Sequence, residues 1–338
     1  MTMLLQVIDH FPGRVHYSDG RQSYASVQNV IYSSANGSRD WVRLTELPLA
    51  AGWRLCSLTE LSRRLCRAGV RHIVPVGTRL CIIGYRTIYT YDLRTGVYET
   101  ARLSGSLPLN ICSDGACVYY GEYGSNKERK PVRIYGGIDG GPVWEPLYEL
   151  KGIRHIHGVF RDPYSGLFWV TTGDEDEESA LWVSDDAFRS LHKVLSGSQQ
   201  FRAVTLLFTE DYIYFGSDTG REENYLYRFN KRQSETEKLQ YTGNAVFYGF
   251  KAGPYLFFST ACQPGKHGDR QKLSVWGTQD GVVWEQFLTL HKDIWPMKLF
   301  QYGLVIFPGG SGGPGELWLY AVGVREFSGS IKFSLQEG

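Results

Sequence analysis

Between Arg154 and Glu178 the chain reads RHIHGVFRDPYSGLFWVTTGDEDEE, with two imidazoles and a guanidinium at one end and a run of carboxylates at the other. Imidazoles titrate near neutral pH and serve as general bases or metal ligands; carboxylates serve as acids, bases or nucleophiles. Alternate residues of a strand share a face, so His155 and His157 point one way and Arg154 and Ile156 the other. The same histidines could instead bridge neighbouring strands by hydrogen bonds. Asp174 and Glu122 each follow a glycine at the end of a strand pattern, where a carboxylate can do chemistry or cap its own turn. The run Glu175, Asp176, Glu177 and Glu178 reads as a solvated loop rather than a metal site.

The elements that must position these residues form a repeat. Six segments, beginning at Arg71, Leu107, Arg154, Phe201, Asn244 and Ile294, share one form: a strand, a tight turn, and a second apolar strand ending in small or polar residues. A polar loop and a third strand follow (TIYTYDL, PVRIYGG, SALWVSD, NYLYRFN, KLSVWGT, ELWLYAV), then in most cases a fourth (YETARL, WEPLYEL, LHKVL, TEKLQ, WEQFLTL, SIKFSL). Four strands every ~45 residues is the signature of a β-propeller. The N-terminal segment supplies a further unit from MLLQVID, GRVHYS, VQNVIYSS and DWVRLTEL. The reading is one all-β domain over 1–338, a seven-bladed β-propeller, with six or eight blades as alternatives. Blades are placed near 1–50, 70–104, 107–150, 153–196, 201–240, 244–291 and 294–336. Leu58, Leu61 and Leu65 have helical spacing ahead of Gly69, so one helix is expected over 58–69, inserted between blades.

Two antiparallel strands return the chain to where it began. The start of each first strand and the loop after its second strand therefore lie at one face. That gathers His155, His157, Glu122 and Asp174 as candidate catalytic residues around the mouth of a central channel. Tyr123, Asn126, Arg154, Asp218, Asn224, Arg71 and Arg202 join them as candidate ligand-binding residues. Arg71 and Arg202, at matching strand starts, read first as partners of inter-blade ion pairs and second as substrate clamps.

Composition narrows the partners. Across 338 residues the formal net charge is +1, which argues against nucleic acid, whose phosphates call for an excess of Lys and Arg. Tyr (22) and Trp (9) are plentiful beside 39 Gly, as in turn-rich β proteins. The N-terminal apolar run is too short for a secretory signal, and no window approaches the ~20 apolar residues of a membrane span. Cys56, Cys66, Cys81, Cys112, Cys117 and Cys262 show no CxxC pair or zinc-finger spacing. A reduced, cytoplasmic protein is expected, in which the Asn36-Gly37-Ser38 sequon carries no sugar.

Two segments, GIDGGPVW (137–144) and TQDGVVW (278–284), resemble the Asp-box, and SDDAFRSL (184–191) resembles a third copy without its Trp. Asp139, Trp144, Asp280 and Trp284 are read as structural: the Asp caps a turn, Gly supplies positive φ, and Trp packs beneath. The likeness is to the Asp-box (BNR-repeat, sialidase-like) propellers, and within them to a bacterial group that accompanies exopolysaccharide genes. Gly121-Glu122-Tyr123 with Asn126, Arg154 to Gly158, Thr172-Gly173-Asp174, and Asp218-Thr219 with Asn224 carry that likeness. Gln263-Pro264 stands where the group has Glu-Pro. GGSGG (309–313) fits a nucleophile-elbow pattern, but a strand follows where that chemistry needs a helix.

The resemblance implies a polysaccharide setting and no particular reaction. Four functions stay open. The first is a saccharide- or polysaccharide-binding propeller; the second is a glycoside hydrolase, which needs two carboxylates about 5–9 Å apart. The third is a polysaccharide lyase, using a His or Tyr base with Arg or a metal to neutralise a uronate. The last is a protein-interaction platform. No cofactor is required by these residues, though a divalent metal is compatible with them, and no membrane partner is expected.

Overall fold

The computed structural model describes residues 3–35, 38–263, 267–313 and 315–337. Asn36 and Gly37 of the sequon, Pro264 and Pro314 lie outside them. Seven four-stranded sheets form a seven-bladed β-propeller. Blades 1 to 6 run in chain order over 14–46, 70–102, 111–150, 155–196, 203–243 and 246–291. Blade 7 joins Leu304–Ile306, Glu316–Val322 and Gly329–Glu337 to Met3–Phe11. The chain divides into two compact units, one built mainly of blades 1, 6 and 7 and the other mainly of blades 2 to 5.

Burial explains why the inner strands read as near-continuous apolar runs. Phe168–Gly173, Ala203–Phe208 and Tyr255–Thr260 are largely or wholly buried along their length, whereas the outer strand Glu145–Leu150 is mostly exposed. Each is the pattern its position demands, two covered faces within and one outside. Side-chain carboxylates close the hairpins: Asp114 Oδ1 accepts from Ala116 and Cys117 N–H, and Asp92 Oδ1 from Arg94 and Thr95 N–H. Tyr119, Ile134, Ile156, Val159, Val170 and Phe188 belong to one core cluster that packs blade 3 on blade 4.

Two features depart from the sequence reading. MLLQVID does not open blade 1. Met3–Phe11 pairs antiparallel with Gly329–Glu337 as the outer strand of blade 7, and blade 1 starts at Arg14–Ser18. SIKFSL is therefore the third strand of its blade, because a strand from the other end of the chain occupies the fourth place. IWPMKLF contains a helical turn, Met297–Phe300.

The helix expected over 58–69 forms over Glu60–Cys66, and a second short helix that was not expected, Ala51–Cys56, precedes it. Thr59 accepts from Ser62 N–H while Ser62 Oγ accepts from Thr59 N–H, a capping box that starts the helix at Glu60. Arg67 at φ +52, rather than Gly69, is the left-handed cap. Leu58, Leu61 and Leu65 face solvent at 70%, 46% and 53% exposure, so their spacing marks no buried stripe. Among the described residues no helix is long and apolar enough to cross a membrane.

The three Asp-bearing turns differ. Asp280 Oδ1 accepts from Thr278 Oγ1 and from the N–H groups of Val282 and Val283, over Trp284 packed 5.5 Å from Phe258. Asp186 takes the same part between Ser184 and Ser190, with fully buried Phe188 beneath in place of Trp. Asp139 lies at φ +53 and is held by its backbone, its N–H donating to Ala116 O at 2.7 Å; Trp144 covers Gly137 and Tyr120.

Candidate functional site

The densest polar cluster lies within the unit of blades 2 to 5. His155 and His157 sit on the first strand of blade 4, His155–Arg161. Its ladder with Phe168–Gly173 slips between Ile156 and Gly158, so His157 is the extra residue of a bulge. Both imidazoles still meet, with Nε2 atoms 3.1 Å apart. Gly173 makes room: a Cβ there would stand 2.9 Å from His157 Cε1 and from Arg202 Cγ.

Tautomers follow from the partners. His155 Nδ1 lies 2.8 Å from Gly124 O, and His157 Nδ1 lies 3.0 Å from Ala203 O. A carbonyl only accepts, so each Nδ1 carries a proton and each ring turns its Nε2 inward. Those nitrogens stand 3.6 and 3.7 Å from Asp174 Oδ1. All three residues are buried, at 6%, 2% and 8% exposure. Burial chiefly pushes the His157 imidazole below its ordinary value, against the pull of Asp174, so it favours the neutral ring.

Asp174 is the electrostatic centre. Arg154 Nη1 donates to Oδ2 at 2.7 Å and Arg202 Nη2 to Oδ1 at 2.9 Å; Arg202 also lies 3.6 Å from Asp218 Oδ2. Burial opposes ionisation of Asp174, but bonding to both histidines and the Arg202 charge outweigh it and hold the carboxyl well below the usual carboxylate range. A carboxylate held so firmly as the anion does not donate a proton near neutral pH.

The acidic run after Asp174 is a built loop. Thr172 Oγ1 donates to Glu178 O at 2.6 Å, and Ser179 Oγ to Glu175 O at 2.8 Å. Glu178 is buried, where a solvated residue was expected. Its Oε1 pairs with Arg129 Nε at 2.7 Å and its Oε2 accepts from Arg154 N–H. Gln199 Nε2 donates to Asp174 O and Asp176 Oδ1. Glu178, Arg129 and Gln199 were not singled out from sequence, because the first reads as one of four loop acids and the other two stand outside any motif.

Other candidates are placed as follows. Tyr123 stacks on His155 with ring centroids 4.4 Å apart. Glu122 turns away, Oε2 accepting from Arg133 N–H at 2.8 Å and Oε1 facing Tyr135 OH at 3.4 Å. Asn126 ties its own loop through Lys130 N–H and O, and Asn224 does so through Ser217 and Thr219. Arg71 belongs to the other unit, where it lines a cavity.

The arrangement offers three donor atoms, two Nε2 and one carboxylate oxygen, all within 4.8 Å of one another. The edges of an octahedral or tetrahedral shell with metal–nitrogen bonds of 2.0–2.1 Å are about 2.8–3.4 Å; the Nε2 pair at 3.1 Å falls in that range, and Asp174 Oδ1, at 3.6 and 3.7 Å, stands a few tenths of an ångström beyond it. Nδ1–H bonds to carbonyls are also the usual outer partners of ligating histidines.

No family model matches the chain, and no curated protein does. Solved structures share the fold. A chain of the mitotic checkpoint complex superposes with TM-score 0.57 at 10% identity, over 98% of this chain and 91% of its own. The GH74 enzyme of Niastella koreensis gives 0.55 at 12% identity over 83% of this chain; the match spans 46% of that enzyme, less than half its length. BamB from Moraxella catarrhalis gives 0.51 at 12% over 97% and 86%. At these identities the likeness is one of fold.

Proposed function

We propose that the protein binds an acidic saccharide at the His155–His157–Asp174 cluster, with a divalent cation held between the two Nε2 atoms and the carboxylate. The observation that carries this reading is the approach of two Nε2 atoms to 3.1 Å beside the Asp174 carboxylate, with each Nδ1 already bonded to a backbone carbonyl. A proton could fill that place, yet burial works against it at His157. Imidazole suits zinc, nickel and iron, and three protein ligands leave positions for the oxygens of a ligand. Arg129 and Arg154 keep partial access to solvent, at 33% and 31% side-chain exposure, and retain donors for an acid group. Tyr123 adds an aromatic face of the kind sugars stack on.

A paired-carboxylate hydrolase is less well served. Asp174 stays ionised and Glu122 is spent on Arg133 and Tyr135, so neither is poised as an acid. A second reading, the interaction platform, rests on Leu55, Leu61 and Leu65, exposed on the two short helices, and on Leu58, exposed between them.

The test is metal content and metal-dependent unfolding. Metal-free protein is titrated with zinc, nickel and manganese, alone and with neutral and uronate oligosaccharides, beside His155→Ala and His157→Ala. One equivalent of metal bound by the wild type and lost in both variants is expected, with uronates raising the unfolding midpoint further only when metal is present. Metal bound equally by the variants would refute the cation. Metal binding without any saccharide effect would remove the sugar and leave the ion. An ultraviolet-absorbing product from a uronate would replace binding by elimination.

A further inference from the structure

A second site lies in the unit of blades 1, 6 and 7, independent of the histidine cluster. A cavity of about 570 Å3 is lined by Arg14, Arg63, Arg64, Arg71, Trp295 and Tyr320 among others. Arg14 opens the first strand of blade 1, Arg14–Ser18, and Arg71 is the second residue of the first strand of blade 2, Val70–Val76. Near-equal places in the repeat thus deliver two guanidiniums to one cavity.

Neither has an anion to face. Among the described residues the groups that act on Arg14 are Tyr248, Tyr320 and Arg71, and those on Arg71 are Tyr248, Tyr320 and Arg67, with no carboxylate for either. Arg14 Nε is buried without a hydrogen-bond partner, and Arg71 Nη2 reaches a carbonyl, Arg67 O, at 3.5 Å. The acids of the cavity wall do not offset them. Asp293 is taken by Arg64 at 2.6 Å and by Lys292, and Glu60 stands exposed at the start of its helix. Burial, with a contribution from Arg71, brings Arg14 down to about 10. Half-buried like charges without a counter-ion are unfavourable, and guanidinium forks fit the two oxygens of an oxyanion.

We propose that this cavity binds a small-molecule oxyanion, a carboxylate or a phosphate ester, between Arg14 and Arg71, with the body of the ligand against Tyr320 and Trp295. Its size is in the range of small-ligand pockets. The paired guanidiniums select the oxyanion, and the two sources differ in the molecule that carries it.

The test is calorimetry at low salt with inorganic phosphate, glucose 1-phosphate, glucuronate and glucose. Wild type, Arg14→Met, Arg71→Met and, as a control at an exposed residue outside both sites, Lys193→Met are compared. Phosphate-bearing or carboxylate-bearing ligands bind and glucose does not. Stoichiometry falls by one, or affinity at least tenfold, in each arginine variant and is unchanged in Lys193→Met. Without anion, Arg14→Met unfolds at the same temperature as wild type or higher, since a half-buried unpaired charge has gone. Unchanged stoichiometry and affinity in both arginine variants, or no anion binding at all, overturns the proposal; a lower unfolding temperature for Arg14→Met marks the arginine as structural and does the same. Should a variant not fold, dicarbonyl modification of wild-type arginines, mapped by mass spectrometry, decides: anion slows labelling of Arg14 and Arg71, and equal rates count against the site.

Discussion

His155 and His157 present the same nitrogen to each other. Each Nδ1 is spent on a backbone carbonyl, Gly124 O for one and Ala203 O for the other, and the two Nε2 atoms close to 3.1 Å over Asp174. Rings locked from behind cannot turn away, so the strand fixes both the protonation pattern and the aim of the pair.

Asp174→Asn removes the charge that Arg154 and Arg202 share. Breaking a buried ion pair on one side costs about 3–5 kcal/mol, and the partial exposure of both arginines puts this case near 3. Thermal unfolding should show a clear drop for Asn and a smaller one for Glu. Equal stability of Asn and wild type would mean that the arginines are already solvated.

Gly173→Ala tests the close approach. The added methyl meets His157 and Arg202 at 2.9 Å, and overpacking of this kind costs about 1–3 kcal/mol. Loss of metal or ligand affinity should exceed the loss of stability, because the displaced groups are those of the site. A control, Gly77→Ala, adds a methyl with nothing within 4 Å, though at φ +55 it carries backbone strain of its own.

Lys231→Met breaks the link between blades 4 and 5 that its ammonium makes to Asp162, 2.6 Å away and fully buried. A loss of about 3 kcal/mol is expected, tempered by Tyr164 N–H and Ser165 Oγ, which still satisfy Asp162. The double variant with Asp162→Leu should recover part of it. No recovery would show that the two residues act separately.

His16 sets a pH dependence. Burial, then Arg14, hold its imidazole well below 6.5, and its nitrogens face Arg71 O and Ser26 Oγ. The unfolded chain binds this proton near pH 6.5 while the native state does not. Stability is thus fully present above that value and declines as pH falls below it, by at most about 1.4 kcal/mol per pH unit. Denaturant midpoints between pH 7.5 and 5 should fall more steeply for wild type than for His16→Gln; parallel lines would assign the slope elsewhere.

Much of this architecture is legible in the residues alone. Inner strands such as FWVTTG and AVTLLF carry their burial in their composition, and the return of each hairpin brings Asp174 to Arg154 and the histidines. The departures have local causes. Glu122 and Asp174 occupy like places after a glycine, but Arg133 N–H and Tyr135 OH claim the first and two guanidiniums the second, which sequence spacing does not encode. Met3–Phe11 has the alternation of any strand, and nothing in it names a partner over 300 residues away. Leu61 and Leu65 sit on the helix that the period of Leu58, Leu61 and Leu65 located, but all three are exposed, so the period marks a helix and not a core face.

Blade 7 has a consequence for biosynthesis. Its outer strand is made before blades 1 to 6 and its third strand after them, since Met3–Phe11 pairs with Gly329–Glu337. Until Gly329–Glu337 has been made, Met3–Phe11 has no native sheet to join, and its unpaired backbone edge stays available to other chains. Such a strand must wait through the folding of blades 1 to 6, a delay that invites chaperone capture or strand exchange between nascent copies.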